Sequence, residues 1–196
     1  MRKILAAAAL AAALPTAAFA QDADTGTTAT APDGTPAFGI EPYFGVMGGY
    51  ERFDNEIGDA GIPLVGRDLD GGLVSAVAGV NIPIGGFFVG AEGNVAKGFK
   101  GDIDWEYGAA GRFGVRAGDS GLIYGKVGYQ WVKFQRPANP DRHYNDITYG
   151  VGVEVGPKDI GLGGITGNSG IRFRLEASTF GDANSFRPMA GVIAHF

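Results

Sequence analysis

From Ile40 to the last residue, apolar and polar side chains take turns along the chain with a period of two. The alternation falls into eight segments of about ten residues, separated by glycine, proline and short polar residues. They run Ile40–Phe53, Gly71–Ile84, Phe87–Lys97, Ile103–Ala117, Leu122–Phe134, Asp146–Val155, Ile171–Phe180 and Ser185–Phe196. A period of two sends successive side chains to opposite faces of a strand, so the pattern predicts an all-β fold. The joints vary in length. Gly85-Gly86 and Gly118-Asp119-Ser120-Gly121 are tight, whereas Asp54–Asp70 and Arg136–Asn145 are long and polar. An even strand number, with short turns at one end and long loops at the other, predicts an eight-stranded antiparallel up-and-down transmembrane β-barrel. Gly156–Gly170 breaks the rhythm, being long on the side where turns are short.

One parity of each strand collects the charge. It carries Glu41 and Glu51, Asn81, Glu92 and Asn94, then Asp104, Glu106, Arg112 and Arg116. It continues with Lys126 and Gln130, Asp146 and Glu154, Arg172, Arg174 and Glu176, and ends with Arg187. The opposite parity is apolar or aromatic, as in Phe44-x-Val46, Val80-x-Ile82, Val127-x-Tyr129 and Phe173-x-Leu175. In a membrane the apolar face turns to lipid, so Glu51, Glu92, Glu106, Arg112, Lys126, Glu154, Arg174, Glu176 and Arg187 are expected as a charge network in the lumen. Strand neighbours suggest Glu92 near Arg112, Lys126 near Glu154, and Glu51 near Arg187 across the closing seam. Val127 and Val151 are expected to face lipid near mid-membrane.

The aromatic residues sit at consistent heights. If odd strands run outwards, Tyr50, Trp105, Trp131, Tyr149 and Phe186 fall near the outer edge of the apolar band. Phe87, Phe113, Phe173 and Phe196 fall near its inner edge. From Phe186 to Phe196 the strand advances about 3.3 Å per residue, and a tilt near 40° gives roughly 25 Å of height, the thickness of an outer-membrane apolar band. A soluble lipocalin-like barrel is the competing fold. Aromatic residues at both ends of the apolar face, opposite a polar face of mixed sign, count against it.

The start of the chain adds a destination. Arg2-Lys3, the apolar run Ile4–Leu14 and Ala18-Phe19-Ala20 have the layout of a cleavable secretory signal, expected over residues 1–20. That run is shorter than the 20 or so residues a membrane-spanning helix needs. Residues 21–38 are Thr, Ala, Asp, Gly and Pro with little to bury, and are expected as a disordered periplasmic tail ahead of a barrel over 39–196. Glycine, 35 of 196 residues, lies far above the usual share of about 7%, as close-packed curved sheets require. With 0 cysteines, neither disulfides nor thiolate metal sites are available. A net charge of −5 gives no electrostatic footprint for nucleic acid.

Several short runs carry a resemblance. Gly90-Ala91-Glu92-Gly93, Tyr124-Gly125-Lys126-Val127-Gly128-Tyr129, Tyr149-Gly150-Val151-Gly152-Val153-Glu154, Arg172-Phe173-Arg174-Leu175-Glu176 and the ending Gly191-Val192-Ile193-Ala194-His195-Phe196 resemble the small eight-stranded outer-membrane barrels. The superfamily is that of the OmpA barrel and the opacity-like surface antigens of Gram-negative bacteria. Ala194 departs from it, since a larger apolar residue is common there. The resemblance covers about Phe38 to Phe196. It implies a monomer that contacts outer-membrane lipids and lipopolysaccharide and is assembled through its C-terminal strand by the barrel-assembly machinery. An extracellular ligand, if there is one, would bind at the loops.

Other chemistries find weaker support. A lipid-modifying barrel enzyme needs a histidine beside a serine on the outer wall. His143 is followed by Tyr144-Asn145, with Asn145 where the nucleophile is wanted, and His195 lies at the other end as a strand-end filler. Two distant histidines supply no metal ligand set, and the acids of Asp54–Asp70 read as solvated loop charge. No catalytic residue, metal site or cofactor is expected. A small-solute or ion channel is the alternative to a surface-interaction role. Eight strands leave an interior that side chains can fill, although the inward glycines Gly45, Gly49, Gly79, Gly108, Gly114, Gly128, Gly150 and Gly152 would leave water pockets.

Overall fold

The computed structural model describes residues 41–53, 69–101, 103–118, 121–134, 144–156, 170–181 and 183–196. The expected signal segment, the tail and most of the two long polar loops lie outside the described residues. Eight strands follow in order: β1 (Glu41–Phe53), β2 (Asp70–Ile84), β3 (Phe87–Gly101), β4 (Ile103–Ala117), β5 (Gly121–Phe134), β6 (Tyr144–Val155), β7 (Ile171–Phe180) and β8 (Ser185–His195). Each pairs antiparallel with the next, and β8 returns to β1, closing the barrel. Closure removes the edges an open sheet would expose. The end bearing the β1–β2 and β5–β6 connections is called the loop end below, and the opposite one the turn end.

Burial follows the period of two. In β1 the odd-numbered residues from Tyr43 to Met47 are buried, and the even-numbered ones from Pro42 to Gly48 are exposed. The same alternation in β8 buries Arg187, Met189, Ile193 and His195 and exposes Phe186, Val192 and Phe196. The outward parity carries Phe44, Val46, Val74, Val95, Val127, Val151, Leu175 and Val192, all exposed. A charged lumen inside an apolar wall is the inverse of a soluble fold. The fold is that of an eight-stranded transmembrane β-barrel, and β8, at about 3.3 Å per residue and tilted by about 40°, is tall enough to cross the apolar band.

Three departures from the expected strands have local causes. Strand β3 continues past Lys97 to Gly101, so that only Asp102 separates it from β4. The extension is possible because Gly72 leaves its outer face open to Phe99: a Cβ there would fall 2.6 Å from the Phe99 ring. Gly101, at φ +96°, takes the left-handed conformation this tight joint needs. Second, a register shift between Ile103 and Trp105 turns Ile103 into the lumen and Asp104 towards the outer wall, where it pairs with Lys97. Asp104 is therefore not a lumen residue. A bulge of this kind re-aims a side chain without altering the pattern on either side. Third, the β1–β8 ladder skips between the Gly49–Met189 and Arg52–Phe186 pairs. Pro188 lies in the gap and has no N–H to donate.

Candidate functional site

The lumen is filled by layers contributed from every side of the wall. Towards the turn end, three carboxylates meet a set of cations. Glu154 of β6 accepts hydrogen bonds from Arg112 Nη2 at 2.7 Å and from Arg174 Nη2 and Nε at 2.7 and 3.0 Å. Its other oxygen accepts from His195 Nε2 at 2.7 Å, with Arg172 Nη1 3.9 Å away. Glu92 of β3 takes Arg174 Nη1 at 2.5 Å, Lys126 Nζ at 3.3 Å and the Tyr43 hydroxyl at 2.9 Å, with Arg112 Nη1 at 3.7 Å. Glu176 of β7 takes Lys126 Nζ at 2.5 Å and the Tyr124 hydroxyl at 2.7 Å. The Arg112 guanidinium lies 3.9 Å from the Tyr124 ring centroid and 4.9 Å from that of Tyr43, so its planar face is covered as well.

A second polar layer lies nearer the loop end, around Arg187 of β8. Its Nη1 donates to Glu106 Oε2 at 2.6 Å, its Nη2 to Gln130 Oε1 at 3.0 Å and its Nε to Ser178 Oγ at 3.0 Å. Glu51 Oε2 stands 3.8 Å from Nη1, and its other oxygen accepts from the Ser185 hydroxyl at 2.7 Å. At the opposite extreme, Arg116 pairs with Glu41 near the turn end. Charges removed from water stay ionised only when donors and counter-charges surround them. The three carboxylates near the turn end each have several such partners, whereas Glu51 and Glu106 share the one cation Arg187 and each keeps one buried oxygen without a hydrogen bond.

Above the Arg187 layer sits an apolar cap that the alternation conceals. Phe53, Leu73, Ile103, Val132, Phe134, Tyr144 and Phe180 point inwards and pack together under the loop-end mouth. Phe53 meets Phe134 and Phe180 edge to face, with centroids 5.5 and 5.8 Å apart. Smaller apolar clusters, Tyr43 with Met47, Val77, Met189 and Ile193, and Phe88 with Leu122 and Tyr124, fill the wall side of the polar layers. Of the inward glycines, Gly45, Gly49, Gly79, Gly114 and Gly152 are sockets for these side chains rather than water pockets, while Gly108 and Gly128 lie against the neighbouring strand's backbone and Gly150 against Lys126. A Cβ on Gly152 would collide with the Tyr124 ring, and one on Gly79 with the Tyr43 hydroxyl.

All nine expected network residues, Glu51, Glu92, Glu106, Arg112, Lys126, Glu154, Arg174, Glu176 and Arg187, are buried in the lumen. Some pairings differ from expectation. Lys126 binds Glu92 and Glu176 rather than Glu154, whose oxygens are occupied by Arg112, Arg174 and His195. His195 is no strand-end filler but a member of the network, stacked on Tyr43 with centroids 5.3 Å apart. Asn81 is fully buried in the lumen, while Asn94 and Asp146 are half-buried.

The expected girdle residues lie on the outer wall. Trp105 and Tyr50 stand close to the loop end, as does Phe186, whose Cα partner is Arg52. Tyr107 stacks on Trp131 at 5.4 Å, and Tyr129 packs against Trp131 at 5.0 Å. Tyr149 sits lower than expected. It pairs with Val127, whereas Trp131 pairs with Asn145, because β6 starts at Tyr144 and Tyr149 is already deep in the strand. Phe87, Phe113, Phe173 and Phe196 are exposed on the wall towards the turn end.

Among the described residues, no group of three or more histidines and acids is placed to hold a metal ion. Ser185, hydrogen-bonded to Glu51, is buried, and His195 stands at the far end of the same strand. His143 and most of Asp54–Asp70 lie outside the described residues.

No family model matches the sequence, and no curated protein matches it. Among solved structures, the chain is similar to Ail, the attachment invasion locus protein of Yersinia pestis, with a TM-score of 0.53 at 16% identity over 82% of this chain and 100% of that one. The same protein in complex with the heparin analogue sucrose octasulfate aligns with a TM-score of 0.51 at 15% identity, over 81% and 100% of the two chains. Neisserial surface protein A aligns with a TM-score of 0.47 at 14% identity, over 79% and 97%. At such identities the likeness to Ail is one of fold.

Proposed function

We propose that this chain is an outer-membrane β-barrel surface protein whose filled, rigid barrel presents its loop end outside the cell as an interaction surface. The observation that carries the reading is the inversion of polarity along each strand. In β5, Lys126 is 5% exposed and Val127 next to it is 48% exposed. Water on both sides of the wall would make that order costly, and lipid outside makes it stable. Export follows from the Arg2–Ala20 signal layout. Loops on a rigid scaffold are where binding specificity is ordinarily carried, and the resemblance of the fold to an attachment protein agrees with that use. The barrel acts as a monomer, and the C-terminal strand with Phe196 serves its assembly.

The channel reading has less support. The apolar cap and the two polar layers lie one above another, and the ion pairs reach across the lumen rather than lining a path. An enzyme reading lacks a histidine beside a serine on the described outer wall. The testing experiment is outer-membrane fractionation followed by gel migration in SDS with and without boiling. A folded barrel in the outer-membrane fraction, migrating differently until boiled, is expected. Recovery in the soluble periplasmic fraction with unchanged migration would overturn the proposal.

A further inference from the structure

The polar layer around Arg187 is short of positive charge. Glu51 of β1, Glu106 of β4 and Arg187 of β8 are its ionisable members among the described residues, two carboxyl groups against one guanidinium. The surrounding strands do not make up the difference. Strand β2 faces the lumen here with Leu73, Ser75 and Val77, and β3 with Asn94 and Ala96. Gln130 of β5 and Ser178 of β7 are neutral. Lys126 of β5, nearer the turn end, is taken by Glu92 and by Glu176 of β7. Asp146 of β6, half-buried and in register with Gln130, adds a further acid on the loop-end side.

The two glutamates also stand too close for two full charges. Arg187 Nη1 approaches both, at 2.6 Å from Glu106 Oε2 and 3.8 Å from Glu51 Oε2. Each acid has one neutral donor, Gln130 Nε2 on Glu106 Oε2 at 2.8 Å and the Ser185 hydroxyl on Glu51 Oε1 at 2.7 Å. Glu51 Oε2 and Glu106 Oε1 are buried and meet no donor from a described residue. Yet the two carboxyl groups lie within hydrogen-bonding reach of each other. Two carboxylates in contact repel, and two carboxyl groups bond only when one of them carries a proton. Phe53, Phe134 and Phe180 cap the layer, so bulk water does not hydrate a surplus charge from above.

We infer that Glu51 and Glu106 form a binding site for one proton, shared between their carboxyl groups and held at neutral pH, with Arg187 as counter-ion to the one negative charge that remains. The proton belongs to the pair rather than to either residue. It supplies the donor that the two acids lack and leaves the layer neutral. Folding then takes up a proton, because the unfolded chain has released both above the ordinary glutamate pKa of about 4.3. The stabilisation is therefore complete below about pH 4.3 and declines as pH rises, until the folded pair gives up its proton.

Two measurements on the full chain folded in detergent test the site. Infrared spectra in heavy water at neutral pH are expected to show the carbonyl stretch of a protonated carboxyl, which carboxylates lack. Glu106→Gln and Glu51→Gln should each remove that band. Glutamine is neutral and keeps a donor, as the protonated acid does, so both variants should fold. Urea unfolding is then followed from about pH 5 to about pH 8, and the folding constant of the parent is divided by that of Glu106→Gln to cancel the other titrating groups. The ratio is expected to fall about tenfold per pH unit up to the pH at which the band disappears. Should neither variant fold, the pH at which the parent loses the band must match the pH at which its urea midpoint changes slope. A parent without the band, a band that survives both variants, or a ratio independent of pH would overturn the proposal. A midpoint raised by sodium chloride but not by choline chloride, in a parent without the band, would assign the missing positive charge to a metal cation instead.

Discussion

His195 donates from Nε2 to Glu154 Oε2 at 2.7 Å, and this contact ties the strand that closes the barrel to the charge network. The ring also stacks on Tyr43, so one imidazole links β8 with β6 and β1. Replacing it by alanine removes a hydrogen bond to a buried carboxylate, worth about 1–3 kcal/mol. His195→Ala should lower the urea midpoint of the detergent-folded barrel by a corresponding amount. His195→Gln, which can still donate towards Glu154, should recover part of the loss. An equal loss in both variants would assign the effect to the stacked ring alone.

Glu154 and Arg112 stand at the centre of the same network, with neither side chain accessible to solvent. Breaking a buried ion pair from one side leaves a desolvated charge and costs about 3–5 kcal/mol, against roughly 0–1 kcal/mol for an exposed pair. Glu154→Ala takes one carboxylate from Arg112, Arg174 and His195 at once and leaves Glu92 to face both arginines, so it should be the more damaging of the two changes. Arg112→Ala leaves Glu154 with Arg174 and His195 and should be milder. Equilibrium unfolding of both variants, compared with Lys97→Ala at an exposed pair, measures the ranking. Losses no larger than that of Lys97→Ala would mean that water enters the lumen freely.

Parity made the fold legible, because a strand's two faces are written into alternate residues and eight such strands can close only with one set inside. It also identified which charges share the lumen. Partners were less legible. Lys126 and Glu154 are close in strand order, yet Lys126 reaches Glu92 and Glu176, since contacts across a lumen depend on the stagger of all eight strands. Asp104 obeys the parity of β4 in the sequence and leaves it in space, because a bulge adds a residue that alternation cannot register. The apolar cap did leave a signal. Phe53, Leu73, Phe134 and Phe180 interrupt the polar parity of their strands always at the loop end, a coincidence that only a common packing site explains. His195 reads as a strand-end filler because a lone histidine there has no partner visible in one dimension, and its contact with Glu154 emerges only when the barrel closes.

The terminal Phe196 is 73% exposed on the outer wall, and its backbone N–H donates to the Pro42 carbonyl at 3.0 Å across the closing seam. Little of its side chain is packed within the barrel, so a loss on deletion would fall on assembly more than on the finished fold. Deleting Phe196 should lower the amount of folded barrel in the outer membrane and leave unassembled chain in the periplasm. The purified variant, refolded in detergent, should unfold close to the parent midpoint. Normal assembly at modest expression would remove the terminal aromatic residue from the assembly signal.

A lumen closed in several layers should not conduct. In planar bilayers the folded chain is expected to add no stepwise ion current. Phe53→Ala thins the cap but leaves the Arg187 and Glu154 layers beneath it, so it should stay silent as well. Steady current steps from the unaltered barrel would show that these layers open, and would restore the channel reading.

Val127 and Val151 lie on the outer wall, 48% and 44% exposed, in neighbouring strands that pair Val127 with Tyr149 and Gly125 with Val151. A charge on the lipid face near mid-membrane costs about 2–4 kcal/mol and falls towards zero near the interfaces. Val127→Arg should therefore cut insertion into vesicles sharply, whereas the same change at Phe186, close to the loop end, should cost less. Gly128→Ala, one residue away and inward, looks conservative but is not a neutral control. Its Cβ would fall 2.6 Å from Ala110 Cβ and press on the β4 backbone, so it should destabilise through the wall rather than through lipid. Thicker bilayers offer the separation. The Val127→Arg defect should deepen as acyl chains lengthen and the arginine loses its route to the interface, while the Gly128→Ala defect should not change. A Val127→Arg defect indifferent to bilayer thickness would place Val127 away from lipid, and with it the parity on which the membrane orientation of every strand depends.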